Sequence, residues 1–220
     1  MSAPSLAICA SNLDGAVPFA VALRLADGRI LGQHSTPALR QELPAMVASL
    51  CAAGGLGAAD LRELRLDLGP GSYTGLRVAV TFVRFLQHFG ALSVLAVDSL
   101  ALLAARARGH RRVVPLLDAR RERFHVAAYA TDCGVPLREL EPAAAVPWPA
   151  VLARVGAGDV VVMPPALASL RAAELAARSA TVTTASVLLA EELFAADLPF
   201  VEAKCEELEP RYLMGSYAEP

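Results

Sequence analysis

The chain has 220 residues, 55% hydrophobic and 19% charged, a balance that supports a folded protein with a substantial core and excludes a charge-rich disordered one. A formal net charge of −2 and a pI near 6.1 give no general attraction to nucleic acid and argue against autonomous tRNA binding. Four separated cysteines (Cys9, Cys51, Cys133, Cys205) and four histidines (His34, His88, His110, His125) form no CxxC, HxxxH or HExxH pattern, so neither a disulfide framework nor a metal centre is expected.

In chain order, the apolar run Ser5–Cys9 predicts a strand, followed by a loop holding Asn12, Asp14 and Gly15. Residues 19–25 and 29–35 flank Asp27-Gly28 and predict two antiparallel strands joined by a type I′ turn. Between Arg40 and Gly54, Leu43, Met46, Val47, Leu50 and Cys51 recur three and four apart, one apolar face of a helix that Gly54-Gly55 should end. Leu64–Leu68 reads as a strand that runs into Gly69-Pro70-Gly71-Ser72-Tyr73-Thr74-Gly75 and a helix. Ser93–Val97 is a further strand, and Asp98-Ser99 can cap a helix reaching about Arg108.

The polar stretch Gly109 to Arg112 marks the expected boundary between an α/β lobe of residues 1–109 and a second of residues 110–220. Beyond it, residues 113–117 and 123–129 predict strands around the charged turn Asp118 to Glu122. EPAAAVPWP (141–149) reads as a loop, residues 148–155 as a short helix and 159–163 as a strand. Residues 165–178 and 186–195 read as helices, and the proline-rich tail from Leu198 as an irregular segment laid on the surface. The N-terminus lacks the basic and long apolar regions of a signal peptide. No tract offers the ~20 uncharged apolar residues of a membrane span, so a soluble cytoplasmic protein is expected.

The glycine-rich loop invites comparison with phosphate cradles, and the residues argue against one. Leu76 stands where a Walker loop needs lysine, Thr74 where GxGxxG needs its third glycine, and Pro70 removes a donor. Ser72 lacks the flanking glycines of a nucleophile elbow, so Ser72 and Thr74 are expected to cap the following helix. That helix has two apolar faces, Leu76, Ala79, Val80, Val83 and Leu86 on one and Val78, Phe82, Phe85 and Phe89 on the other. Arg77, Thr81, Arg84 and His88 leave a narrow polar stripe between them. Two burials satisfy this pattern: a central core helix, or a helix with one face on its own sheet and the other on a partner chain.

Gly69 to Arg77 resembles the GPGSFTGLR signature of the TsaB (YeaZ) family, with Tyr73 for phenylalanine. Val97-Asp98-Ser99-Leu100 is similar to that family's V-S-S-L step, Leu117 to Arg121 to its I-D-A-R-R segment, and Glu209 to Leu213 to its terminal E-P-x-Y-L. The resemblance implies a two-lobed α/β fold of the actin/hexokinase/Hsp70 (ASKHA) type. It implies a non-catalytic scaffold for tRNA threonylcarbamoyladenosine (t6A) synthesis, without activity or a cofactor of its own. The implied partners are a TsaD-like catalytic subunit, which holds the metal, and a TsaE-like ATPase. It implies tRNA contact only through the complex and any ATP or ADP bound by the assembly; a homodimer is expected for the chain alone, because a partner-seeking apolar helix can also pair with its own copy. It points to a partner face made by Arg77, Val78, Thr81, Phe82, Arg84 and Phe85 with Leu43, Met46, Val47 and Leu50. It also points to Asp118, Arg120 and Arg121 as an inter-lobe or nucleotide contact.

Two departures bear on chemistry. The family's first strand ends in Asp-Thr-Ser, whereas this chain has Cys9-Ala10-Ser11, and cysteine is no hard oxygen ligand for magnesium. Leu39 to Leu43 replaces the family's H-S-x-x-L. The alternative function is a degenerate ATP-binding kinase or ATPase of the same fold, in which Asp98 or Asp118 would have to replace the missing aspartate. A peptidase has the least support, because no zinc motif or triad is present.

Overall fold

The computed structural model describes residues 3–12, 17–36, 42–90, 92–132, 137–185 and 187–213. Asp14, Gly15, Leu39 to Gln41, Cys133, Ser186 and the tail beyond Leu213 lie outside them. The chain forms two compact α/β units. One takes Met1–Asp98, Leu188–Ala195 and Phe200–Arg211; the other takes Ser99–Val187, Ala196–Pro199 and Tyr212–Pro220.

In the first unit β1 (Ser5–Cys9), β2 (Ala20–Arg24), β3 (Ile30–His34), β4 (Glu63–Asp67) and β5 (Ser93–Val97) join β11 (Val201–Ala203) in a six-stranded sheet ordered β11-β5-β4-β1-β2-β3. The β5–β4 and β4–β1 pairings are parallel, and the others antiparallel. Helices α1 (Leu43–Ala53) and α2 (Tyr73–Phe89) share one core with it, built from Leu6, Ile8, Leu23, Leu64, Leu66 and Val94. Burying each leucine there contributes roughly 1.5–3 kcal/mol.

Pro44 opens α1, and Gly55 ends it at φ 69. The Leu56 N–H donates to the Cys51 carbonyl and the Gly55 N–H to that of Ala52, the paired bonds of a Schellman stop. The Asp27-Gly28 hairpin is not the two-residue type I′ turn expected. Leu25 pairs with Arg29, leaving a three-residue loop in which Gly28 takes φ 89.

In the second unit β6 (Val113–Arg120), β7 (Arg123–Ala130), β8 (Arg138–Pro147), β9 (Val160–Met163) and β10 (Thr181–Thr184) form a sheet ordered β10-β9-β6-β7-β8. Helices α4 (Trp148–Arg154) and α5 (Pro165–Ala176) pack on its Phe124, Val126, Val114 and Val161 side chains.

Four expectations need correction. Residues 141–147 are strand, because β8 lies at the sheet edge and its pairing with β7 slips around Pro142, where a missing N–H breaks no central ladder. Helix α3 spans only Ser99–Ala104 rather than reaching Arg108. Thr131 draws the following chain aside, its hydroxyl donating to the Ala107 carbonyl at 2.6 Å and its carbonyl accepting from the Gly109 N–H at 2.7 Å. Residues 187–195 contain only a 3-10 turn, Ala190–Phe194, because the Asn12 side chain takes both the N–H of Leu188 (2.8 Å) and its carbonyl (3.0 Å) away from a helical ladder. The tail is not wholly irregular: β11 pairs with β5, and Leu208 is fully buried.

Candidate functional site

Strands β1 and β4 run side by side, with Ile8 opposite Leu66, so Cys9 and Asp67 are the next residues at their shared end. Asp67 is fully buried and accepts from the Cys9 thiol at 3.1 Å, the Ala10 N–H at 3.1 Å and the Ser11 hydroxyl. Burial pushes the Cys9 thiol well above its ordinary range, and the adjacent carboxylate pushes it further, so it remains a protonated donor rather than a nucleophile.

The glycine-rich loop sits directly on this segment. A Cβ on Gly71 would fall 2.1 Å from the Ser11 carbonyl oxygen, and one on Gly75 would fall 2.4 Å from that of Ala10. The Ser72 N–H donates to the Ser11 carbonyl at 2.9 Å, and the Ser72 hydroxyl caps α2 by accepting from the Gly75 N–H at 3.3 Å. Ser72 is therefore the cap, while Thr74 lies exposed in the first turn. On the other side, the Arg211 N–H donates to the Leu68 carbonyl at 2.7 Å, and its guanidinium pairs with Asp98 at 2.6 Å. A cradle would aim such N–H groups and glycines at a ligand. Here the Ser72 N–H and the close approaches of Gly71 and Gly75 face the chain's own backbone.

Helix α2 buries one of its two apolar faces and leaves much of the other exposed. Leu76, Ala79, Val80 and Val83 are buried in the core, whereas Val78, Phe85 and Phe89 are 41%, 58% and 73% exposed. Phe82 is half-buried, packed against the core cluster between the two faces. Phe85 and Phe89 pack with ring centroids 4.7 Å apart and planes tilted by 52°, and Arg77, Thr81, Arg84 and His88 border them in the exposed stripe. Arg77 donates to the exposed Tyr73 hydroxyl at 2.7 Å. Leu43, Met46, Val47 and Leu50 lie elsewhere: all four are buried in the unit's own core and offer nothing to a second chain. The α2 surface is therefore the part of the expected partner face that stands free of the core.

In the second unit Asp118, Arg120 and Arg121 come together on the exposed β6–β7 hairpin, where the Asp118 carboxylate accepts from the Arg120 N–H at 2.7 Å. Arg120, Arg121 and Glu122 all take positive φ (65, 51 and 57), a run that costs non-glycine residues roughly 1–2 kcal/mol each. Arg121 lines a cavity of about 300 Å³ with Arg123, Trp148 and Arg171. Asp98, by contrast, follows the end of β5 in the first unit and is held there by Arg211.

Sequence reading missed Asp67, Asn12 and the strap of residues 200–211. The signal for Asp67 was a carboxylate at the very end of a strand, directly before the glycine-rich loop; the other two are contacts between segments remote in sequence. Among the described residues no His, Cys, Asp and Glu side chains gather as a metal site would require, and no helix is long and apolar enough to cross a membrane.

Comparison with known proteins points to one family. The model of TsaD, tRNA N6-adenosine threonylcarbamoyltransferase, matches residues 30–139, half of the chain. The tRNA threonylcarbamoyladenosine biosynthesis protein TsaB of Bacillus subtilis (strain 168) is 36% identical over 77 residues, and that of Escherichia coli (strain K12) 30% identical over 95. These matches cover 34% and 42% of this chain but span only 34% and 41% of those relatives. The solved structure of YeaZ from Pseudomonas aeruginosa superposes with a TM-score of 0.75 at 24% identity, covering 96% of this chain and 100% of that one. A second structure, described as an uncharacterized protein with similarity to peptidase YeaZ from Pseudomonas aeruginosa, gives 0.75 at 25% identity, covering 97% and 100%.

Proposed function

The chain belongs to the TsaB/YeaZ family, and from that premise we propose that it is a non-catalytic scaffold of tRNA threonylcarbamoyladenosine synthesis that binds and supports a TsaD-like threonylcarbamoyltransferase. The observation that carries this reading is the second face of α2. Val78, Phe85 and Phe89 present a ridge of apolar side chains to solvent on a helix whose opposite face is buried to within a few per cent. Exposed aromatics on a rigid helix, bordered by arginines, have the composition of an interface core and rim. The closed packing around Asp67 and the glycine loop supports a holding rather than a phosphate-transferring role for this unit, against the kinase or ATPase alternative. In the same reading a TsaE-like ATPase joins the assembly in the cytoplasm, tRNA is contacted through the catalytic subunit, and the free chain pairs with its own copy through this helix.

The test is co-purification of a TsaD-like protein with the tagged chain and with its Val78→Glu and Phe85→Glu variants. Capture by the native chain and loss in both folded variants is expected. Undiminished capture by both variants would remove the helix from the interface.

A further inference from the structure

Helix α2 can present its outer face only if its first turn is fixed, and the contacts fixing it lead back to one side chain. The turn rests on the carbonyls of Ala10 and Ser11, so closely that neither Gly71 nor Gly75 has room for a methyl group. That segment is a loop, with no ladder of its own beyond Cys9. Its thiol, one of its N–H groups and its hydroxyl all converge on the Asp67 carboxylate, which reaches across from β4.

We propose that Asp67 is the positioning residue of the partner-facing helix, its carboxylate on β4 fixing the Ala10–Ser11 segment on which the helix's first turn rests. The helix's role toward a partner rests on the function proposed above; the clasp itself does not. Register would let either strand supply the carboxylate, because positions 9 and 67 end neighbouring parallel strands and the Cys9 sulfur touches the Asp67 carboxylate. A carboxylate at either position faces the same donors. Carboxylates at both would place two like charges together in a fully buried site, where they cannot both ionise, so the second would have to stay protonated at a cost in stability. Cysteine at position 9 is then the small, weakly donating neighbour that leaves the carboxylate room.

The test compares four whole-chain proteins by thermal unfolding: native, Cys9→Asp, Asp67→Cys, and the exchange Cys9→Asp/Asp67→Cys. Each single change should lower Tm by roughly 5–10 °C, from loss of charged hydrogen bonds or from buried like charge, and the exchange should recover more than half of the summed loss. An exchange protein that loses the sum of both singles would overturn the proposal. Should Cys9→Asp fail to fold, Asp67→Asn provides an independent reading by hydrogen exchange. The Ser72 and Gly75 amides should lose protection at least tenfold while those of β5 keep theirs, and unchanged Ser72 protection would overturn the clasp. Titrating the TsaD-like protein of the same organism into Asp67→Asn separates the two ideas. Loosened amides with native partner affinity would count against the partner reading and leave the clasp standing.

Discussion

Replacing Gly71 or Gly75 with alanine distinguishes a loop shaped by packing from one shaped for a ligand. Real Cβ contacts essentially never fall below 3.0 Å, so the 2.1 Å at Gly71 requires a displacement of at least about 0.9 Å and the 2.4 Å at Gly75 about 0.6 Å. In both cases the obstructing atom is a backbone carbonyl of the Ala10–Ser11 segment, which the Asp67 bonds hold in place. Overpacking of this kind costs about 1–3 kcal/mol. Gly75 lies inside α2, where alanine returns up to about 1 kcal/mol of helix propensity; Gly71 precedes the helix and recovers nothing. Gly71→Ala should therefore destabilise by about 2–3 kcal/mol and Gly75→Ala by about 1–2, or roughly 5–10 °C and 2–6 °C in Tm for a chain of this size. Gly57→Ala, at φ −93 with its nearest neighbour at 3.6 Å, should change Tm by less than about 2 °C. Differential scanning calorimetry of the three variants without any ligand decides the matter. A phosphate cradle would leave the free chain as stable with alanine as with glycine, so an unshifted Gly71→Ala Tm would refute the packing argument.

Two further outcomes follow from the remaining structure. Leu208→Ala removes a fully buried side chain by which the C-terminal strap joins the first core, and urea unfolding should show a loss of about 2–4 kcal/mol; an effect below about 0.5 would mean the strap is not part of that core. His125 is held neutral by burial, its pKa lowered from 6.5 to about 4 against an opposing pull from Asp118. The unfolded chain then binds the extra proton between those values, so stability should be full above pH 6.5 and fall by about 3 kcal/mol as pH approaches 4. His125→Leu should flatten that part of a pH series of unfolding free energies, and an unaltered slope would contradict it.

What could be read from sequence divides along physical lines. The strand Ser93–Val97 and the two long helices of the first unit were legible because burial on a sheet imposes a periodicity that survives without knowing the partner. The glycine loop was legible as a cap, since Ser72 acts within three residues of itself. The two faces of α2 were visible as well, but which would be covered was not, because periodicity records apolarity and not what lies against it. The segments misread are those whose structure is settled from far away. Asn12 claims the backbone of Leu188 across 176 residues, and β11 is a strand only because β5 is beside it. Pro142 suggested a loop because edge position and a slipped register are properties of the sheet, not of the tripeptide around it. Asp67 escaped notice for the same reason: its meaning lies in Cys9, Ala10 and Ser11, at and just beyond the end of a different strand.

The central claim is that the outer face of α2 is a protein-binding surface. Isothermal titration of the TsaD-like protein of the same organism into the purified chain, beside Phe85→Glu, tests it most directly. Phe85 is 58% exposed and outside the core, so the substitution should leave Tm within about 2 °C while weakening binding at least roughly 30-fold, the effect of losing an aromatic anchor worth about 2 kcal/mol. Native affinity in a Phe85→Glu protein of unchanged Tm would contradict the account.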